Sequence, residues 1–303
     1  MELDRVLPEL REPMQRAQVK APRWLVRAAV RVMRVPRSER VRVRTAKAGA
    51  VRLRTYVPVG VRSGAGLLWI HGGGLLFGDA RQDEALCLST AERLGVVIVS
   101  VNYRFAPEHP FPAAHDDVRA GWHWFVEQAA RLGVDLGRIA VGGESAGAGL
   151  AAALVQRLHD GGGVQPVAQW LFAPMLDDRT AARRDLDAVE HFVWDNRSNR
   201  EGWSGYLRGE PGRADPPPYA VPARRTDLRG LPSAYLAYGD IELFAAEDRA
   251  YADALEAAGV PVTTDVVAGA PHGFENWAHR TPVAQSLLTR AQAWLASALE
   301  PRR

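Results

Sequence analysis

Two stretches in the first quarter of the chain alternate apolar with basic positions, Val41-Arg42-Val43-Arg44 and Val51-Arg52-Leu53-Arg54. A period of two predicts strands with one buried face. Ala48-Gly49-Ala50 between them predicts the turn of an antiparallel hairpin at a sheet edge. Further along, short apolar runs recur between longer helical segments: Leu67 to Ile70, Val96 to Val101, Ile139 to Val141, Val167 to Phe172, Ala234 to Tyr238 and Val262 to Val267. Runs buried on both faces and joined by helical crossovers predict a mostly parallel central sheet flanked by helices, an α/β fold.

Two stretches break the alternation. Residues 1 to about 38 carry a helical pattern in which Arg23, Arg27, Arg31 and Arg34 share one face, with Trp24, Leu25, Val30 and Val32 on the others. That spacing predicts a packed helix with a solvated basic side. Residues 177 to about 230 form a polar excursion with Trp and Pro, including Asp215-Pro216-Pro217-Pro218-Tyr219, which excludes regular helix there. Long excursions in a compact domain predict lids or binding loops. Gly161-Gly162-Gly163 reads as a helix-to-strand turn.

A length of 303 residues suits one large α/β domain with an appended cap. Apolar residues at 47% and charged residues at 24% exclude a disordered or collagen-like chain. The lone Cys87 rules out an intrachain disulfide and a cysteine-based zinc site, and permits a reducing compartment. No apolar run approaches the roughly 20 residues of a membrane helix, and no signal-peptide pattern opens the chain, so a soluble, cytoplasmic protein without membrane insertion is expected. Residues 1–62 hold sixteen Lys and Arg against five Asp and Glu, although the whole chain has a net charge of only +3. Because 36 of the 38 basic residues are Arg, this reads as compositional bias on solvated faces. No basic patch interleaved with aromatics predicts nucleic acid as a partner.

Candidate chemistry begins at Gly143-Glu144-Ser145-Ala146-Gly147, directly after an apolar strand and before an Ala- and Leu-rich helix. This is a G-x-S-x-G pattern in a strand-turn-helix setting, which exposes a strained serine at the N-terminal end of a helix. Gly147-Ala148-Gly149 with Ala152 is a loose dinucleotide fingerprint, but its glycines lie inside the expected helix, and no lysine completes a phosphate loop. A serine hydroxyl needs a base and an orienting carboxylate downstream. Of the histidines after Ser145, His272 in Gly269-Ala270-Pro271-His272-Gly273-Phe274 follows the last expected strand, whereas His159, His191 and His279 read as surface or structural. Asp240 and Glu242 both follow the strand Ala234 to Tyr238, and position alone leaves both open as the acid. His71-Gly72-Gly73-Gly74 follows a strand and offers unobstructed backbone N–H groups for an oxyanion, joined by the Ala146 N–H. His71 itself reads as a brace for that loop.

These motifs resemble the hormone-sensitive lipase family of α/β-hydrolases, the microbial carboxylesterases, from about residue 65 to 300. His71-Gly72-Gly73-Gly74 is similar to its oxyanion motif, Gly143 to Gly147 to its nucleophile motif, and Tyr103-Arg104-Phe105-Ala106-Pro107-Glu108 to the segment between them. The resemblance implies an α/β-hydrolase fold over 1–303 with a helical cap from about 1–38 and about 177–230. It implies catalysis by Ser145, His272 and an acid, and an oxyanion hole of Gly73, Gly74 and Ala146. In register with Leu243-Phe244 and Tyr251-Ala252 the acid is Glu242, where the family usually has aspartate. Phe192, Trp194, Trp203 and Tyr206 of the cap become candidates for lining a substrate pocket. The implied activity is hydrolysis of short- to medium-chain carboxylic esters, small-molecule substrates, with no metal or organic cofactor. An amidase or lactonase using the same triad, or a ligand receptor on the same fold, is the alternative, and a homodimer is left open.

Overall fold

A computed structural model of the protein describes residues 3–17 and 23–301. Two helices, α1 (Pro8–Ala17) and α2 (Arg23–Val32), precede the hairpin β1 (Val41–Ala48) and β2 (Val51–Pro58). Strands and helices then alternate as β3 (Gly66–Ile70), α3 (Glu84–Leu94), β4 (Val97–Asn102), α4 (Ala113–Leu132), β5 (Ile139–Glu144), α5 (Ala146–Gly161) and β6 (Ala168–Phe172). An excursion bearing α6 (Asp178–Ala182) and α7 (Asn196–Leu207) leads to β7 (Ser233–Gly239). The chain closes through α8 (Ala245–Ala257), β8 (Val262–Val267), the short α9 (Phe274–Trp277) and α10 (Pro282–Ala298). No described helix is long and apolar enough to cross a membrane.

The eight strands make one sheet in the order β1-β2-β4-β3-β5-β6-β7-β8. β2 runs antiparallel to both β1 and β4, and all other neighbours are parallel. The parallel strands β3 to β8 therefore end along one edge, where the loops of an α/β sheet build its site. Alternation along β3 feeds two cores. Leu68 and Ile70 join Val99, Val101 and Val141 under α4, α5 and α8, while Leu67 and Trp69 join Ile98, Trp170 and Phe172 under α1, α3 and α10. On that second face Trp69 meets Trp170 edge-on at 5.5 Å.

Two expectations change. Val262–Val267 is not buried on both faces: as the last strand it pairs only with β7, and Thr263, Thr264 and Val266 are exposed. The N-terminal helix α2 is turned over. Arg27 packs inward, with its Nε and Nη2 donating to the Leu76 carbonyl at 2.9 and 2.6 Å. Its Nη1 and Nη2 bond Glu108 at 2.8 and 3.0 Å. Trp24, Leu25 and Val32, expected inside, are exposed by 68%, 43% and 80%. Carbonyl acceptors and a carboxylate can hold a guanidinium at a surface, and they outcompete the apolar residues for the inward side. Arg34 is exposed as expected, and the side chains of Arg23 and Arg31 lie outside the described residues, as do residues 1–2 and 18–22 of the expected cap.

Candidate active site

Ser145 sits in the turn between β5 and α5 at φ 55°, ψ −122°, the strained conformation of a nucleophile elbow. The flanking glycines are required by space. A Cβ on Gly143 would lie 2.6 Å from the Ile70 carbonyl oxygen, and one on Gly147 would overlap the Ile70 and His71 carbonyls. The Ser145 N–H donates to the Phe172 carbonyl at 2.8 Å, and its own carbonyl accepts from Gly149 and Met175, so neighbouring strands clamp the turn.

The loop after β3 brings Gly73 and Gly74 to the same edge at φ 115° and 59°. Among the described residues no acceptor is bonded to the N–H groups of Gly73, Gly74 or Ala146. His71 is fully buried under that loop, its ring 4.5 Å from Tyr103 and nearly parallel to it. Its Nδ1 donates to the Gly72 carbonyl at 2.8 Å, and burial pushes the imidazole down to about 4, so it is neutral at physiological pH.

His272, in the loop after β8, reaches back over the sheet edge. Its Nε2 lies 2.9 Å from Ser145 Oγ and its Nδ1 2.6 Å from Glu242 Oε2. Phe244 meets the imidazole edge-on at 5.2 Å. The structure thus brings Ser145, His272 and Glu242 together and puts Asp240 elsewhere: exposed, with its Oδ1 accepting from the Gly269 N–H at 2.7 Å.

The sequence reading missed the acids behind this line. Asp248 of α8 is fully buried beside Glu242. Burial first, and the Glu242 charge next, push its carboxyl well above the usual range. On the other side, Asp83 Oδ1 and Glu144 Oε2 each accept from Asn276 Nδ2 at 2.6 Å, and Asp83 Oδ2 accepts from Trp69 Nε1 at 2.6 Å. Burial holds Asp83 up to about 6 and Glu144 well above its ordinary value. The pair ties the His272 loop to the serine turn. No motif announces these partners; only the adjacency of Glu144 to Ser145 offered a signal.

The four aromatics of the excursion between β6 and β7 part company. Trp194 lies on Gly74 and meets Phe77 edge-on at 6.5 Å. Trp203 and Tyr206 of α7 pack on each other at 6.1 Å, and Tyr206 packs on Phe111 at 5.6 Å. Phe192 joins the core on the Trp69 face.

A profile described as the α/β-hydrolase fold matches residues 67–276. The esterase LipI of Mycobacterium tuberculosis is 34% identical over 234 residues, which cover 74% of this chain and 70% of that one. This chain belongs to the hormone-sensitive lipase family of α/β-hydrolases. A bacterial heroin esterase superposes with a TM-score of 0.90 at 32% identity, with 99% of each chain covered. An esterase of the bacterial hormone-sensitive lipase family superposes with a TM-score of 0.83 at 27% identity, covering 97% of this chain and 99% of its own. As a family member with esterases for relatives, the chain is a carboxylic ester hydrolase, and ester hydrolysis is favoured over the amide, lactone and receptor readings.

Proposed function

We propose that Ser145, His272 and Glu242 are the catalytic triad of a serine carboxylesterase acting on short- to medium-chain esters, with Gly73, Gly74 and Ala146 as its oxyanion hole. The observation that carries this reading is the unbroken line of contacts, 2.9 Å from Ser145 Oγ to His272 Nε2 and 2.6 Å from Nδ1 to Glu242. His272 Nε2 takes the serine proton as Oγ attacks the ester carbonyl carbon. Glu242 accepts from Nδ1–H, which fixes the tautomer and stabilises the imidazolium. The three N–H groups bind the oxyanion, and each such donor is worth roughly 2.7–4 kcal/mol in the transition state. The carbonyl reforms as the alcohol leaves with the proton from Nε2, and water then repeats the sequence on the acyl-enzyme.

The N-terminal helices and the 177–230 excursion form a cap in this reading. Trp194 lines the pocket, and Phe192, Trp203 and Tyr206 back it. The buried unpaired Cys87 suits a cytoplasmic setting. Replacing Ser145 by Ala lowers kcat for p-nitrophenyl butyrate on the order of 10⁶-fold and abolishes fluorophosphonate labelling, with circular dichroism unchanged. Turnover retained by that variant removes Ser145 as nucleophile.

A further inference from the structure

Beyond the chemistry at Ser145, one contact bears on which acids the enzyme releases. Trp194 is 8% exposed and lies directly on Gly74 of the proposed oxyanion hole. A Cβ added to Gly74 would collide with its Cη2 and lie 2.5 Å from Cζ2. Phe77, at 62° to the indole, completes a wall on the same loop.

The ring is held there. Val193, a β-branched residue, adopts φ +71°, and the Trp194 N–H closes a three-residue turn onto the Phe192 carbonyl at 2.9 Å. A branched side chain in the left-handed region persists only where packing over-determines it, and here buried Phe192 and Trp194 anchor the turn on both sides. Gly74 has no room to retreat, because α7 presses on it from another side: a Cβ on Gly202 would come 2.5 Å from the Gly74 carbonyl oxygen. The indole Nε1 is buried with no partner among the described residues, as is that of Trp203.

Three directions leave the carbonyl carbon of a substrate attacked by Ser145. The oxygen goes to the Gly73, Gly74 and Ala146 N–H groups. The alcohol lies toward His272 Nε2, from which it takes its proton. The acyl chain takes the remaining direction, away from the imidazole, and the contacts of Trp194 fall on the donor loop at Gly74 and Phe77. We infer that Trp194 is a specificity-determining residue that cuts the acyl side of the site short, so that the preferred substrates are acetate and propionate esters of varied alcohols. This rests on the triad and oxyanion assignments above.

The test compares wild type, Trp194→Phe and Trp194→Ala on p-nitrophenyl acetate, butyrate and octanoate, and on acetates of ethanol, butanol and benzyl alcohol, with fluorophosphonate labelling to count active sites. Wild type is expected to lose roughly tenfold or more in kcat/KM from acetate to octanoate. Trp194→Ala raises the octanoate-to-acetate ratio at least tenfold, Trp194→Phe raises it less, and neither moves the ratios among the acetates by more than about twofold. An unchanged acyl ratio in a variant that still labels overturns the inference, and so does a shift confined to the alcohol series. Should the Ala variant fail to fold, the ratio in Trp194→Phe decides. A wild type that neither turns over nor labels fails the triad reading instead, and this inference with it.

Discussion

At the scale of single residues, the proposed acid is a glutamate where the family resemblance implies aspartate as the usual residue. Glutamate is one methylene longer than aspartate, so its carboxylate needs holding at the right depth. Glu242 has one oxygen on His272 Nδ1, and the buried Asp248 of α8 lies beside it in the core. Asp240 instead bonds the Gly269 N–H on the surface. Glu242→Gln is therefore expected to lower kcat by about 10³- to 10⁴-fold by destroying the acceptor for Nδ1–H, and Asp240→Asn by less than about tenfold. Steady-state kinetics of the two variants check this, and the reverse order moves the acid to Asp240. Ser145 and His272 were legible in the sequence because each follows a strand end in a local pattern. Asp248 and the Trp194 contact with Gly74 were not, because each depends on distances set only when separate segments pack.

Periodicity has the same limit at the scale of elements. The spacing of α2 puts Arg23, Arg27, Arg31 and Arg34 on one face, yet Arg27 packs inward while Arg34 is exposed, and a period does not say which side is covered. The carbonyls of Leu76 and Ala106 and the carboxylate of Glu108 decide that, and they draw Arg27 inward. The turned helix thereby docks two residues past Gly74. Removing that anchor by Arg27→Ala is expected to destabilise by about 1–2 kcal/mol in urea titrations and to raise KM more than it lowers kcat. Trp24→Ser, on the outward face, changes stability by no more than about 0.5 kcal/mol. A larger loss from Trp24→Ser would mean that α2 buries its apolar face in solution. The central strands raised no such ambiguity, since runs covered on both faces have no outside to choose. The edge strand β8 was grouped with those strands by sequence, yet as the last strand of the described sheet it leaves Thr263, Thr264 and Val266 exposed.

Across the whole molecule, the buried titratable groups pull stability in opposite directions as pH changes. Burial pushes His71 and His115 down to about 4 from 6.5, so the stability they contribute is present above 6.5 and is lost as pH falls through 4. Buried acids do the reverse. Burial holds Asp83 up to about 6 and Glu275 up to about 7, so their contribution is complete below the ordinary carboxyl values and is lost as pH rises through the raised ones. Glu275 isolates this effect. It is 6% exposed, one of its oxygens has no partner among the described residues, and its charge faces Glu242 and Asp83, with His272 opposing. At pH 8 the folded protein must hold Glu275 ionised in that surrounding, whereas at pH 4.5 both folded and unfolded chains bind its proton to a large degree. Glu275→Gln keeps the shape and removes the charge. The variant is expected to gain about 1–3 kcal/mol over wild type at pH 8, read as a higher Tm, with the gain shrinking toward zero by pH 4.5. A gain independent of pH would trace to packing, and a gain that grew on acidification would mean that Glu275 is stabilised as the carboxylate by a cation the described residues do not supply.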